Sequence, residues 1–189
     1  KRIIKVTMLG AFSLMLGLAA IAKPLILVLI GDKWLPCVPF LQIICLQMML
    51  YPLHALNLNM LQVQGRSDLF LKLEVIKKII AIAPILLGIF VNIYWMLGGS
   101  VIIGFLSFYL NAYYSGPLLG YSIKEQIIDI LPSFCVALVM AVPVYAISFI
   151  SLRPLILLLL QILIGVTITF SICEILKLQE YLEIKDIAK

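Results

Sequence analysis

Apolar runs of about twenty residues recur along the whole chain, separated by short links that hold most of the charge. Wound at 1.5 Å per residue, a run of about that length spans the roughly 30 Å hydrocarbon core of a bilayer. Hydrocarbon offers no water to backbone N–H and C=O groups, so such a run satisfies them internally as a helix. Of the 189 residues, 64% are hydrophobic and 12% charged. A domain of this size cannot hide that much apolar surface from water. The expected fold class is therefore all-α integral membrane. Six transmembrane helices are expected at about 6–30, 38–64, 71–91, 96–114, 132–150 and 155–173, with a charged tail at 174–189. The chain opens on Lys1 and enters an apolar run almost at once, and it reads as the C-terminal part of a larger polytopic bundle.

The charge pattern sets an orientation. Of the 14 Lys and Arg residues, eleven fall at the N-terminal end, in the second-to-third and fourth-to-fifth links, and in the tail. Only Lys33 and Arg153 fall in the opposite links, and Lys23 lies within the first run. An excess of basic residues marks the cytoplasmic side, so both ends are expected there. The formal charge of +5 follows this topology, without a basic patch interleaved with aromatics, which excludes nucleic acid as a partner. Cys37, Cys45, Cys135 and Cys173 have no metal-ligand spacing, and His54 is the only histidine. No metal or cofactor is expected. None of the nine acidic residues falls clearly within an apolar run, and no nucleophile–base arrangement appears, so no catalytic residues are assigned.

Prolines punctuate the runs. Pro24 and Pro84 are expected to kink theirs, because proline removes a backbone donor, and Pro52 and Pro143 lie inside others. Asn92 to Trp95 reads as an aromatic turn at an interface, and 116–131 as a short amphipathic segment on the membrane surface. Ser100, Gly104, Ser107, Asn111 and Ser115 share one face of the fourth helix, as Gln161, Gly165 and Thr169 do on the sixth.

The second helix carries the most polarity. At 100° per residue, Gln47, Leu50, His54, Asn57, Leu61 and Gln64 fall along one stripe, while Asn59 and Gln62 lie elsewhere. Amides and an imidazole suit sugar hydroxyls and phosphate oxygens, or else hydrogen bonding between helices. Lys23 lies ~10 Å inside the end of the first helix, and its side chain leans back toward the membrane centre. An ammonium there needs water or a counter-charge. Arg66, Lys72, Lys77 and Lys78 could guide an anionic head group at the cytoplasmic face, or serve topology alone.

Ala22-Lys23-Pro24-Leu25-Ile26, Gly31-Asp32-Lys33-Trp34-Leu35-Pro36 and Pro39-Phe40-Leu41-Gln42-Ile43 resemble a known family. So do Tyr51-Pro52-Leu53-His54-Ala55-Leu56-Asn57-Leu58-Asn59 and Gln64-Gly65-Arg66-Ser67-Asp68. They are similar to bacterial polysaccharide-export flippases, the O-antigen and exopolysaccharide translocases of the multidrug/oligosaccharidyl-lipid/polysaccharide exporter superfamily. The similarity covers about Ile21 to Lys78. It implies a V-shaped bundle of two halves in the bacterial inner membrane. Such a bundle moves undecaprenyl-diphosphate-linked oligosaccharide between leaflets by alternating access. The partners implied are that substrate, membrane lipids, an N-terminal half of the same protein and polysaccharide polymerase machinery. Lys23 would meet the diphosphate, and Gln47, His54, Asn57, Gln64 and Asn111 would line the glycan path. Three other classes stand beside it: a drug/cation antiporter of the same superfamily, a membrane-embedded glycan-processing subunit and a purely structural membrane subunit. The antiporter would be expected to show an embedded carboxylate, and the glycan-processing subunit a large outer loop.

Overall fold

The structure is a computed structural model that describes residues 1–150, 152–176 and 181, and those residues contain no strand. The helices, in order, are α1 (Arg2–Ala20), α2 (Ala22–Leu29), α3 (Val38–Met48), α4 (Tyr51–Val63) and α5 (Ser67–Ile80). They continue with α6 (Ile82–Phe90), α7 (Ile93–Leu119), α8 (Ile123–Ala146) and α9 (Pro154–Ile175). Tighter 3₁₀ turns lie at Asp32–Cys37 and Ile147–Phe149. Five helical stretches are long and apolar enough to cross a membrane: Arg2–Ala20, Asp32–Val63, Ile93–Leu119, Ile123–Phe149 and Pro154–Ile175. Outward faces are strongly apolar, with Phe90 and Phe149 leaving 79% and 78% of their surface uncovered. Lipid tails accept such faces at no cost, whereas water does not. The chain is read as a membrane-embedded all-helical protein.

Three helix breaks have one cause. A proline has no N–H for the carbonyl four residues back, and its ring crowds that carbonyl. Pro24, Pro52 and Pro84 therefore withhold a donor from Ala20, Met48 and Ile80, and those are the last residues of α1, α3 and α5. Near Pro24, the Gln42 side chain donates to the Ala19 carbonyl at 3.1 Å. The run expected at 71–91 is thus two shorter helices, α5 and α6, of 14 and 9 residues.

Two expectations are corrected. Asn92 is the N-cap of α7, its side chain accepting from the Trp95 N–H at 3.2 Å, so Ile93 to Trp95 form the helix's first turn and not a separate aromatic turn. The segment 116–131 is not a separate helix either. Here α7 runs to Leu119 and closes on Gly120, whose φ of 59° is left-handed, with the Tyr121 N–H bonded to the Gly116 carbonyl. A reciprocal capping box then starts α8: Ser122 N–H donates to Glu125 Oε2 at 2.9 Å, and Glu125 N–H to Ser122 Oγ at 3.3 Å. The helix continues through Pro132 to Ala146, and the tail expected from 174 lies, beyond Leu176 and apart from Tyr181, outside the described residues.

The chain divides into two compact units, 1–49 with 130–189, and 50–129. In the first, α1 packs on α3 and α9, and α2 on α3 and α9. Phe12 of α1 meets Phe134 of α8 edge-on at 5.3 Å, and Ala20, Met140 and Val144 form part of the core. In the second, α7 is the central element and packs against α4, α5 and α6. Gly88 of α6 lets α7 approach closely, since a Cβ there would lie 2.9 Å from the Met96 Cβ.

Candidate functional site

The seam between α4 and α7, inside the second unit, collects polar groups at the depth of an apolar helix pair. The ring of His54 meets Phe108 edge-on with centroids 6.3 Å apart, which fixes the two facing surfaces. Asn57 and Leu61 follow His54 on its face at three and seven residues, and Asn111 and Ser115 follow Phe108 likewise. Asn57 is 1% exposed, and Asn111 and Ser115 are fully buried.

A chain of amides fixes what Asn57 presents. The Tyr121 carbonyl can only accept, so Gln126 turns its Nε2 toward it, at 3.3 Å. Gln126 Oε1 then accepts from Asn57 Nδ2 at 2.8 Å. Asn57 Oδ1 is left as an acceptor with no donor, and neither amide can flip without losing a bond. Four other buried atoms in the seam also lack partners: His54 Nδ1, Asn111 Oδ1 and Nδ2, and Ser115 Oγ. Leaving a buried polar atom unsatisfied costs about 1–3 kcal/mol. A closed seam carrying five of them is thus primed to take up partners.

At the rim, the Tyr121 hydroxyl donates to Asp129 Oδ2 at 2.7 Å. Burial first, then that bond and the charges of Asp129 and Glu125, hold the phenol above its ordinary pKa, so it remains a donor. Asp129, expected in a surface link, is seven residues into α8, where Tyr121 engages its carboxylate.

The remaining candidates lie apart from this seam. The break before Pro52 ends the expected stripe: Gln47 is half-buried on α3 in the first unit, while His54, Asn57 and Gln64 belong to the second. Gln64 is the exposed C-cap of α4. Lys23 is exposed, the second residue of α2. Arg66 closes on Asp68 through two bonds of 3.1 Å, and those bonds chiefly hold the Asp68 carboxyl below its ordinary pKa. Lys77 pairs with Glu74, and Lys72 and Lys78 are exposed. Of the four basic residues, two therefore carry a carboxylate neighbour.

Gln126 was not among the expected site residues. The signal for it was Ser122-Ile123-Lys124-Glu125, a capping box that starts a helix and puts Gln126 on it. In the first unit, Gln161, Gly165 and Thr169 line a groove of about 310 Å³ with Ser13 and Gly17 of α1. There Gln161 Nε2 donates to the Val144 carbonyl at 2.7 Å and to Ser148 Oγ at 2.8 Å. Comparison with known proteins returned no matching family model, no matching curated protein and no matching solved structure.

Proposed function

We propose that this chain belongs to a transporter that flips lipid-linked oligosaccharide across the bacterial inner membrane by alternating access. The observation that carries this reading is the α4–α7 seam, with five buried polar atoms lacking partners between two apolar helices. Helices associate in lipid without such groups, so their presence asks for something that supplies partners when the seam opens. A sugar does so, because each hydroxyl both donates and accepts. In the proposed transporter, six crossings are completed by α5 and α6 acting together as one bent span, and both ends face the cytoplasm. Lys23 meets the diphosphate as the one cation within the first run, and the seam residues His54, Asn57 and Asn111 meet the glycan. Lys72 and Lys78 attract the anionic head group more than Arg66 and Lys77, whose charge is offset by Asp68 and Glu74.

The similarity of Ile21 to Lys78 to polysaccharide-export flippases supports the substrate class. The short links 31–37 and 150–153 argue against a glycan-processing subunit, which would need room for catalytic residues outside the membrane. The antiporter reading wants an unengaged carboxylate at depth, and the two acids that lie well inside helices, Glu74 and Asp129, are engaged by Lys77 and Tyr121. The test is Lys23→Ala in the protein at its native length. Surface polysaccharide is expected to fall at least tenfold with membrane insertion unchanged, and normal polymer would rule Lys23 out of the path.

A further inference from the structure

Transport against a gradient needs a group that takes up and releases a driving ion, and the seam holds one titratable side chain. His54 is the only histidine of the chain, and an ionisable residue within an apolar span is expensive to keep without a use. Its Nδ1 is buried and has no hydrogen-bond partner, although the residue as a whole is only half-buried. In the neutral ring carrying its proton at Nε2, Nδ1 therefore holds a lone pair that nothing donates to. The groups on its own face and across from it are Asn57, Phe108, Asn111 and Ser115, none of them charged. Three of them, Asn57, Asn111 and Ser115, are polar. They could not quench a proton on the ring with a fixed negative charge.

We propose that His54 carries the coupling proton of this transporter, an inference that rests on the transport reading above. When the seam opens to one side, Nδ1 takes a proton from water and the ring becomes an imidazolium. When the seam opens to the other, that N–H bond breaks and the proton returns to water, leaving the ring neutral. No other bond changes. In the closed seam an uncompensated imidazolium is costly among apolar side chains, so the ring closes neutral or with a bound anionic partner. That requirement ties protonation to substrate occupancy.

The charged and titratable groups around it set the background. On α5, which packs against α4, Lys77 is paired with Glu74. That helix also carries Asp68, Lys72 and Lys78. On α7 there is no Asp, Glu, Lys, Arg or His, only tyrosines 94, 109, 113 and 114. On α8, which reaches α4 through Gln126, Glu125 caps the helix and Asp129 is engaged by Tyr121.

The experiment uses the protein at native length in proteoliposomes of phosphatidylethanolamine and phosphatidylglycerol. The probe is a fluorescent short-chain polyprenyl-diphosphate-linked disaccharide. The quantity read is the ratio of translocation with an imposed pH gradient to translocation without one. The expected ratio is at least fivefold for the unsubstituted protein and close to one for both His54→Gln and His54→Asn, each checked for monodispersity and unfolding temperature. A ratio that stays fivefold in the folded His54 variants overturns the proposal, as does a ratio of one in the unsubstituted protein. Absence of any translocation by the unsubstituted protein sinks the transport reading itself, and the coupling with it.

Discussion

Asn57 and Gln126 share one hydrogen bond whose direction is set a step further on, by a backbone carbonyl that can only accept. Such a chain makes single substitutions costly and paired ones cheap. Asn57→Leu leaves Gln126 Oε1 buried without a donor, which is expected to cost about 1–3 kcal/mol. Replacing both residues by leucine removes the pair together and orphans only the Tyr121 carbonyl, so the double is expected to lose less than the sum of the two single leucine replacements. Unfolding in detergent for the two singles and the double would show it. Equal losses in the double and in the sum of the singles would mean that the bond carries no coupling. At this scale the sequence was half legible. The three-residue step from His54 to Asn57 placed both on one face, and helical periodicity is enough for that. Gln126 was hidden because the isoleucines and charges of 116–131 mimic a surface helix, and only the capping box at Ser122 reveals a new span beginning there.

Among the elements, breaks rather than helices carry the information. Ala20, Met48 and Ile80 each end a helix four residues before a proline, whereas α7 and α8 run on through Pro117, Pro132 and Pro143, so backbone chemistry says where a break would fall but not which prolines make one. What the same chemistry did not show is that the break before Pro52 assigns Gln47 and His54 to different units. A stripe drawn at 100° per residue assumes one straight cylinder, and a kink ends that assumption. Packing between α6 and α7 depends on Gly88 and Gly99, where an added Cβ would lie 2.9 Å from Met96 and 3.3 Å from Pro84. Gly88→Leu is expected to force this hairpin apart and cost about 1–3 kcal/mol of stability. An unfolding temperature in detergent matching the unsubstituted protein would show that the helices have slack there. Glycine in an apolar run signals close approach of a neighbour, but which neighbour is a tertiary fact outside the sequence pattern.

For the molecule as a whole, apolar run length was the most legible property, and all five membrane-length stretches overlap expected spans. The second unit then explains why a polar stripe can be tolerated: α7 covers it, and some of its atoms are left waiting for partners. Buried groups of that kind make a seam that is stable enough to close and costly enough to reopen. The central claim is that the seam serves passage of a polar, lipid-anchored cargo. Its most direct test is translocation of a fluorescent polyprenyl-diphosphate-linked disaccharide into proteoliposomes holding the protein at native length. The lumenal fraction is scored by its protection from a membrane-impermeant quencher. The account predicts protection approaching half of the probe within minutes, falling at least tenfold in the paired Asn57→Leu and Asn111→Leu variant. Protection no faster than in protein-free vesicles, or unchanged in that variant, would contradict it.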